Sequence, residues 1–460
     1  PSLAKAEGLR VQGCKGSRKI FLMKKTGYIF IIFICLLFFS PALSHTKTYI
    51  DIDSPSFRRF PIAITYFKDI KGKDNKGDIS KEIFEVLTQD LEISGFFAII
   101  DPSLFIESPV DSKSGNDNKI NFRDWSAIGA EALVKGSFRF DNGNLEIEAK
   151  LYDVFQGRFL LGKRYVGKRQ DIRKMIHRFC NEILLSFTGE KGVFDTKIAF
   201  VSDESGYKEI YVIDFDGHNM IKITNHKSIA LSPAWSPNGK MIAFTSYKDG
   251  NPDLYVKDII VNKDDRISHY KGLNIAPAWF PDGRKLAVTL SLEGNPEIYV
   301  LDKEGKRLKR LTNDWGIDVS PTLSPDGKEI AFVSDRSGNP DIYVMNSQGE
   351  DVKRLTFQRN YSASPKWSPK GDKIAFSSLA EGHFDIYTMN PDGTDVRRLT
   401  SNSGDNEYPS WSPNGRFLTF TSARGGNKRI YIMRADGSGQ RQIGAFKGNQ
   451  LNPCWSPRLQ

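Results

Sequence analysis

Pro233-Ala-Trp-Ser-Pro-Asn-Gly-Lys-Met-Ile-Ala-Phe244 is not unique in this chain. Trp235, Trp279, Leu323, Trp367, Trp411 and Trp455 follow one another at steps of 44 residues. Ile198, Ile242, Leu286, Ile330, Ile374 and Leu418 keep the same step, as do Tyr211, Tyr255, Tyr299, Tyr343, Tyr387 and Tyr431. A fourth ladder ends each unit at Thr224, Ser268, Thr312, Thr356, Thr400 and Gly444. A fixed period of this size marks a repeat architecture in which each unit buries its apolar face on its neighbours.

Each unit reads as four short strands. Pro-Ala-Trp is the first. Ser-Pro-Asp/Asn-Gly is a turn, with proline presetting φ and glycine accepting a positive one. Ile-Ala-Phe, Asp-Ile-Tyr-Val and Arg-Leu-Thr are the second, third and fourth. Four antiparallel strands per repeat make a propeller blade. The first unit, 196–224, has strands two to four but no Trp-Ser-Pro before it. The last, Asn452-Pro-Cys-Trp-Ser-Pro457, has strand one alone. The two pieces complete each other, so six blades close into a ring with no open seam between the first and the last. The expected architecture is an α+β N-terminal domain followed by an all-β six-bladed β-propeller closed by the C-terminal strand.

The domain boundaries follow from the local patterns. Residues 1–22 read as an upstream extension, with Met23 as the expected start. Met23-Lys-Lys25 precedes an apolar run, Tyr28 to Phe39, and then Ser40-Pro-Ala-Leu-Ser44. That is a signal peptide over 23–44, cleaved after Ser44; the run is too short to span a membrane. An arm (45–57), an α+β domain (58–190) and the propeller (191–460) follow. Net charge is +10, of which residues 1–44 supply +6. The high pI is therefore mostly a leader effect, and no basic run with interleaved aromatics points to nucleic acid. Beyond the leader two cysteines remain, Cys180 and Cys454, expected as buried free thiols.

In the α+β domain, Phe60 to Phe67 reads as a strand. Ile79 to Ser94 is an amphipathic helix capped by Asp78 or Ser80, with Ile79, Ile83, Val86, Leu87 and Leu91 inward. Phe96 to Ile100 is a strand and Asn121 to Ala130 a short helix. Strands follow at 132–140, 145–154 and 158–166, the first two joined by the hairpin signal Asp141-Asn-Gly-Asn144. Asp171 caps a last helix to about Phe187. The tether Thr188 to Phe194 is so short that the two domains must touch.

Catalytic signatures are missing. The six histidines do not pair at metal-ligand spacing, and nucleophile-elbow, Walker and dinucleotide patterns are absent. Asp253, Glu297, Asp341 and Asp385 recur at 44 residues. They read as strand-edge residues closing the preceding loop turn; the competing reading is a carboxylate ring around a channel cation, as in a propeller lyase or lactonase. The tryptophans read as packing between blades rather than as sugar platforms, and His269 as a rim residue. An enzyme needs a non-repeating cluster of titratable groups in a cleft. Here the repeats differ in their loops, which suits the gripping of a peptide or protein.

The repeated P-x-W-S-P-D/N-G-K-x-I-A-F…D-I-Y-V…R-L-T resembles the WD40-like propeller repeat. The whole layout resembles the TolB family, periplasmic components of the Tol–Pal system. Arg59-Phe-Pro-Ile-Ala-Ile64, Trp125-Ser-Ala-Ile-Gly-Ala130, Thr188-Gly-Glu-Lys-Gly-Val-Phe194 and Pro453-Cys-Trp-Ser-Pro457 carry that resemblance. It implies a non-enzymatic periplasmic adaptor, monomeric, without cofactor and only peripheral to membranes. It would bind the lipoprotein Pal at the channel mouth and TolA and other inner-membrane Tol proteins through the arm, supporting outer-membrane invagination at division. The Pal surface it implies consists of Ile229, Ala230, Leu273, Asn274, Ile275, Ala276, Asp318, Val319, Ser320, Tyr361, Ser362, Asn406 and Glu407. The arm contacts are His45, Thr46, Tyr49, Ile50, Asp51 and Ile52.

Overall fold

The structure, a computed structural model, describes residues 58–459 apart from 73, 75, 76, 107–119 and 358–360. The expected extension, leader and arm, with His45, Thr46, Tyr49, Ile50, Asp51 and Ile52, lie outside the described residues. Among the described residues no helix is long and apolar enough to cross a membrane.

The N-terminal domain is one sheet backed by two long helices. Strand β1 (Phe60–Ile64) is followed by β2 (Lys68–Asp69), helix α1 (Asp78–Ser94), β3 (Phe97–Ile99) and α2 (Phe122–Ala127). Then come β4 (Ala132–Asp141), β5 (Asn144–Asp153), β6 (Arg158–Gly167) and α3 (Ile172–Thr188). The sheet order is β3-β1-β4-β5-β6, with β2 beside β4. β1 runs parallel to β3 and β4, while β4, β5 and β6 form an antiparallel meander. Asn142 and Gly143 both take positive φ at the β4–β5 turn (48° and 80°), as a two-residue hairpin requires.

Three local expectations change. Neither Asp78 nor Ser80 caps α1. Its cap comes from the preceding loop, where the Asp74 carboxylate accepts from Ile79 N (3.1 Å) and Ser80 N (3.4 Å). Asp171 precedes α3, but its carboxylate turns back to accept from Lys168 N (2.8 Å) and closes the 3-10 turn before the helix. Helix α2 stops at Ala127 rather than Ala130, because Gly129 at φ 81° reverses the chain.

Six four-stranded sheets make the propeller. Blade one joins Gln450–Trp455 to Lys197–Ser202, Glu209–Asp214 and Ile221–Lys222. Trp455 pairs with Ile198 in that ladder, so the C-terminal strand closes the ring as expected. Blades two to six begin with Ala230–Trp235, Asn274–Trp279, Asp318–Leu323, Ser362–Trp367 and Asn406–Trp411. The tryptophans pack between neighbouring blades. Trp279 and Trp411 donate Nε1 to the carbonyls of Ala234 (3.1 Å) and Lys366 (3.0 Å) one blade back, and Trp455 donates to Thr196 Oγ1 (2.8 Å). Cys180 is a buried free thiol, and Cys454 is free and only partly buried.

The two domains share a core. One apolar cluster runs from Ile83, Phe179 and Ile183 of the helices through Phe194 of the tether to Phe200, Phe215, Phe417 and Trp455 of blades one and six. At its margin Arg416 pairs with Glu190 (2.7 Å) and lies over the Phe96 ring. Arg458 donates to the carbonyls of Lys191 and Gly192. In the middle, buried His177 of α3 bridges Asp90 of α1 (Nδ1, 2.7 Å) and Asp216 of blade one (Nε2, 3.1 Å). Arg173 holds Asp216 as well. Burial by itself would discharge His177, but the two carboxylates outweigh it and push its pKa up to about 10. Burial also acts against Asp216, yet His177 and Arg173 hold it well below the usual carboxylate range.

Candidate functional site

The candidate site is the end of the propeller where each chain segment enters its first strand. Those segments do not repeat, so they can carry specificity while the blades stay fixed. The carboxylate ladder secures them. Glu209, Glu297, Asp341 and Asp385 are buried and each accept from the threonine that ends their blade, Thr224, Thr312, Thr356 and Thr400. The same hydroxyls accept from Ile210, Ile298, Ile342 and Ile386 N at 2.9–3.0 Å, replacing a lost ladder bond. Arg310, Arg354 and Arg398 complete the staple from strand four. Glu209 also takes Lys227 N (2.8 Å) and Glu297 takes Asp314 N (2.9 Å). These carboxylates therefore fasten the loop after strand four. Closure of the loop before strand three, the role their spacing suggested, is seen at Asp253 with Asn251 and at Asp341 with Ser337. None of them lines the central channel.

The thirteen rim residues fall into two groups. Ala230, Asn274, Asp318, Ser362 and Asn406 are buried. They are the first residues of their strands and act as braces. The Asn274 amide accepts from Ser268 Oγ and Tyr270 N and donates to the Tyr270 and Gly272 carbonyls. Asp318 pairs with Arg336 (2.7 Å), Ser362 meets Ser378 (3.1 Å), and Asn406 donates to Asp385 and the Gly404 carbonyl. Ile229 and Tyr361 are exposed, while Leu273, Ile275, Ala276, Val319, Ser320 and Glu407 are half-buried. Glu407 pairs with Lys428 (2.6 Å), and Tyr361 stands edge-on to Phe384. His269 is exposed on the same rim.

Two side chains on this rim escaped the sequence reading. Trp315 is 76% exposed and Phe357 68% exposed, on the loops leading into blades four and five. Exposed Ile317 and Tyr361 stand on the same two loops. A large apolar residue in a non-repeating loop was the available signal.

Inside the mouth the first strands share an unusual backbone. Ser232, Ala276, Ser320, Ser364, Tyr408 and Asn452 each precede a proline and each have φ between 48° and 58°. At every one the ladder to strand two shifts register. Positive φ at a non-glycine residue costs of order 1–3 kcal/mol and persists only where neighbours impose it. Here the bulge turns an amide toward the preceding blade, where Thr289 Oγ1 accepts from Ser320 N (3.3 Å) and Ser377 Oγ from Tyr408 N (3.1 Å). The six residue–proline pairs line a narrow channel of about 80 Å³.

A family model for the TolB beta propeller domain matches residues 185–459, and one for the TolB amino-terminal domain matches 48–160. The chain belongs to the TolB family. A crystal structure of TolB from Acinetobacter baumannii superposes with a TM-score of 0.74 at 31% identity, covering 87% of this chain and 97% of that one. The Tol-Pal system protein TolB of Desulfosudis oleivorans is 41% identical over 222 residues, 48% of this chain and 50% of the relative. That of Syntrophotalea carbinolica is 44% identical over 213 residues, 46% and 49% of the two chains. The chain thus spans about half the length of the curated relatives it matches.

Proposed function

We propose that this chain is the periplasmic component of a Tol–Pal system, a non-enzymatic adaptor that receives the lipoprotein Pal at the channel mouth. The system is taken from the names of its TolB relatives. The observation that carries the binding mode is the rim itself. Braced loops hold Ile229, Ile275, Val319, Trp315, Phe357 and Tyr361 around a narrow opening, partly or largely exposed. Such side chains act as anchors once a partner desolvates them, and a few of them dominate the energy. Glu407, paired with Lys428, adds a polar contact to the rim.

Capture of Pal from envelope extract by the purified chain tests this. Trp315→Ala and Val319→Asp should each weaken capture at least tenfold with an unchanged melting temperature, since truncating a desolvated anchor costs about 2 kcal/mol or more. Undiminished capture by both variants would place the interface elsewhere. The arm, 45–57, is proposed to carry the TolA contact, and its deletion should abolish TolA binding. Export is proposed to remove residues up to Ser44, so the protein recovered from periplasm should begin at His45. A lyase or lactonase would need a cation in the channel; the lining offers one lysine and no carboxylate.

A further inference from the structure

The channel contains a charge that the mouth does not use. Strand one of each blade contributes a residue just before its tryptophan position: Ala234, Ala278, Thr322, Lys366, Ser410 and Cys454. Five are small or uncharged. The sixth, Lys366 of blade five, is half-buried and is the single ionisable amine or acid in the channel lining apart from the Cys454 thiol and the Tyr408 phenol. Lys366 follows the residue–proline pair Ser364-Pro365 along the first strand of blade five.

Among the described residues no carboxylate pairs with Lys366, and its backbone carbonyl accepts from Trp411 Nε1. The glutamate nearest the mouth, Glu407, is already paired with Lys428. Hydroxyl and amide groups able to donate, those of Ser232, Ser320, Ser364 and Asn452, line the same space. The positive-φ bulges place all four on the channel wall. A cation in a narrow channel, with neutral donors and no acid in the same lining, is the arrangement that recognises an anion.

We propose that the channel holds an anion site, with Lys366 as counter-charge, taking one carboxylate or phosphate group. The volume, about 80 Å³, fits one such group and excludes a sugar ring or a nucleotide base. The site does not depend on what binds the rim.

Cys454 shares the lining and reports on it. The full chain is alkylated with iodoacetate, an anion, and with neutral iodoacetamide, and modification at Cys454 is followed by peptide mass spectrometry. Lys366 should raise the iodoacetate-to-iodoacetamide rate ratio by about tenfold over that in Lys366→Met, the scale of one charge-assisted contact. Acetate or inorganic phosphate, but not equal ionic strength of chloride, should slow modification of the wild type and leave Lys366→Met unaffected. Protection by acetate alone would assign a carboxylate site, and by phosphate alone a phosphate site. An unchanged ratio, or equal protection in both proteins, overturns the proposal. Should neither reagent reach Cys454, calorimetric titration of both proteins with phosphate and acetate decides: no heat that Lys366→Met removes also overturns it.

Discussion

At the scale of single residues, the rim depends on groups that never meet a partner. In blade five Asp385 is held by Thr400, Arg398 and Asn406 together. Thr400→Val removes one hydroxyl, leaves Ile386 N and Asp385 short of a bond each, and should cost about 1–3 kcal/mol by denaturant unfolding. Blade six shows what the staple's absence requires. At the equivalent positions it has Arg429, Gln442 and Gly444, and Arg429 instead donates to the Gly448 carbonyl. All three partners changed together, as expected if each needs the others. Asn274→Ala should likewise lower the melting temperature, because it strips four hydrogen bonds from a buried brace. That response separates it from Val319→Asp, whose effect should appear in capture alone.

His177 gives the residue scale its pH dependence. Its folded pKa, about 10, lies above the ordinary 6.5. The stability it contributes is therefore complete below about pH 6.5 and is lost as pH rises through 10. Asp216 works in the opposite sense: its contribution is present above its ordinary value of 3.8 and is lost as pH falls below it. Melting temperature against pH should show a plateau between these limits. His177→Gln should lower the plateau, with a loss of stability of about 3–5 kcal/mol for a broken buried pair, and remove the alkaline decline.

At the scale of elements, the first strand of each blade is where sequence and structure part. The period, the four strands and the turns were legible because tryptophan, tyrosine and glycine are each demanded by blade geometry. The exposure of the rim was not. Alternation along a regular strand would assign faces two by two, but the bulge before each proline inserts a residue and resets the alternation. Ala230, Asn274 and Asp318 look like loop tips in sequence, yet they pair with Ser246, Leu290 and Ser334 and turn inward. The cap of α1 was hidden for a similar reason, since Asp74 reaches it across a loop rather than from the position before the helix. The bulge also sets up a test. Ala276→Gly removes a side chain from positive φ, relieving about 1–2 kcal/mol, against about 0.5–1 kcal/mol of added chain entropy. A small gain in stability, at most about 1.5 kcal/mol, is expected from the urea midpoint.

At the scale of the whole molecule, the α+β domain sits across the seam of the ring. Its core continues into blades one and six, the two that the closing strand joins. Removing residues 450–459 would expose the seam, strip Trp455 from Thr196 and Arg458 from the tether, and leave Lys197–Ser202 with a free edge. Such a chain should lose cooperative unfolding as a unit. Calorimetry should show the blades and the α+β domain melting apart instead of in one transition.

The closing strand also sets an order of events. Lys197 N reaches Ser456 Oγ across 259 residues of sequence, the far end of the same ladder that pairs Trp455 with Ile198. Contacts of such separation form only after a large loss of chain freedom. Blades two to six can assemble from neighbours in sequence, whereas blade one needs two segments far apart in the chain. The shared floor beneath the α+β domain is then the final part of the molecule to set, and the ring stays open at one point until that strand is in place.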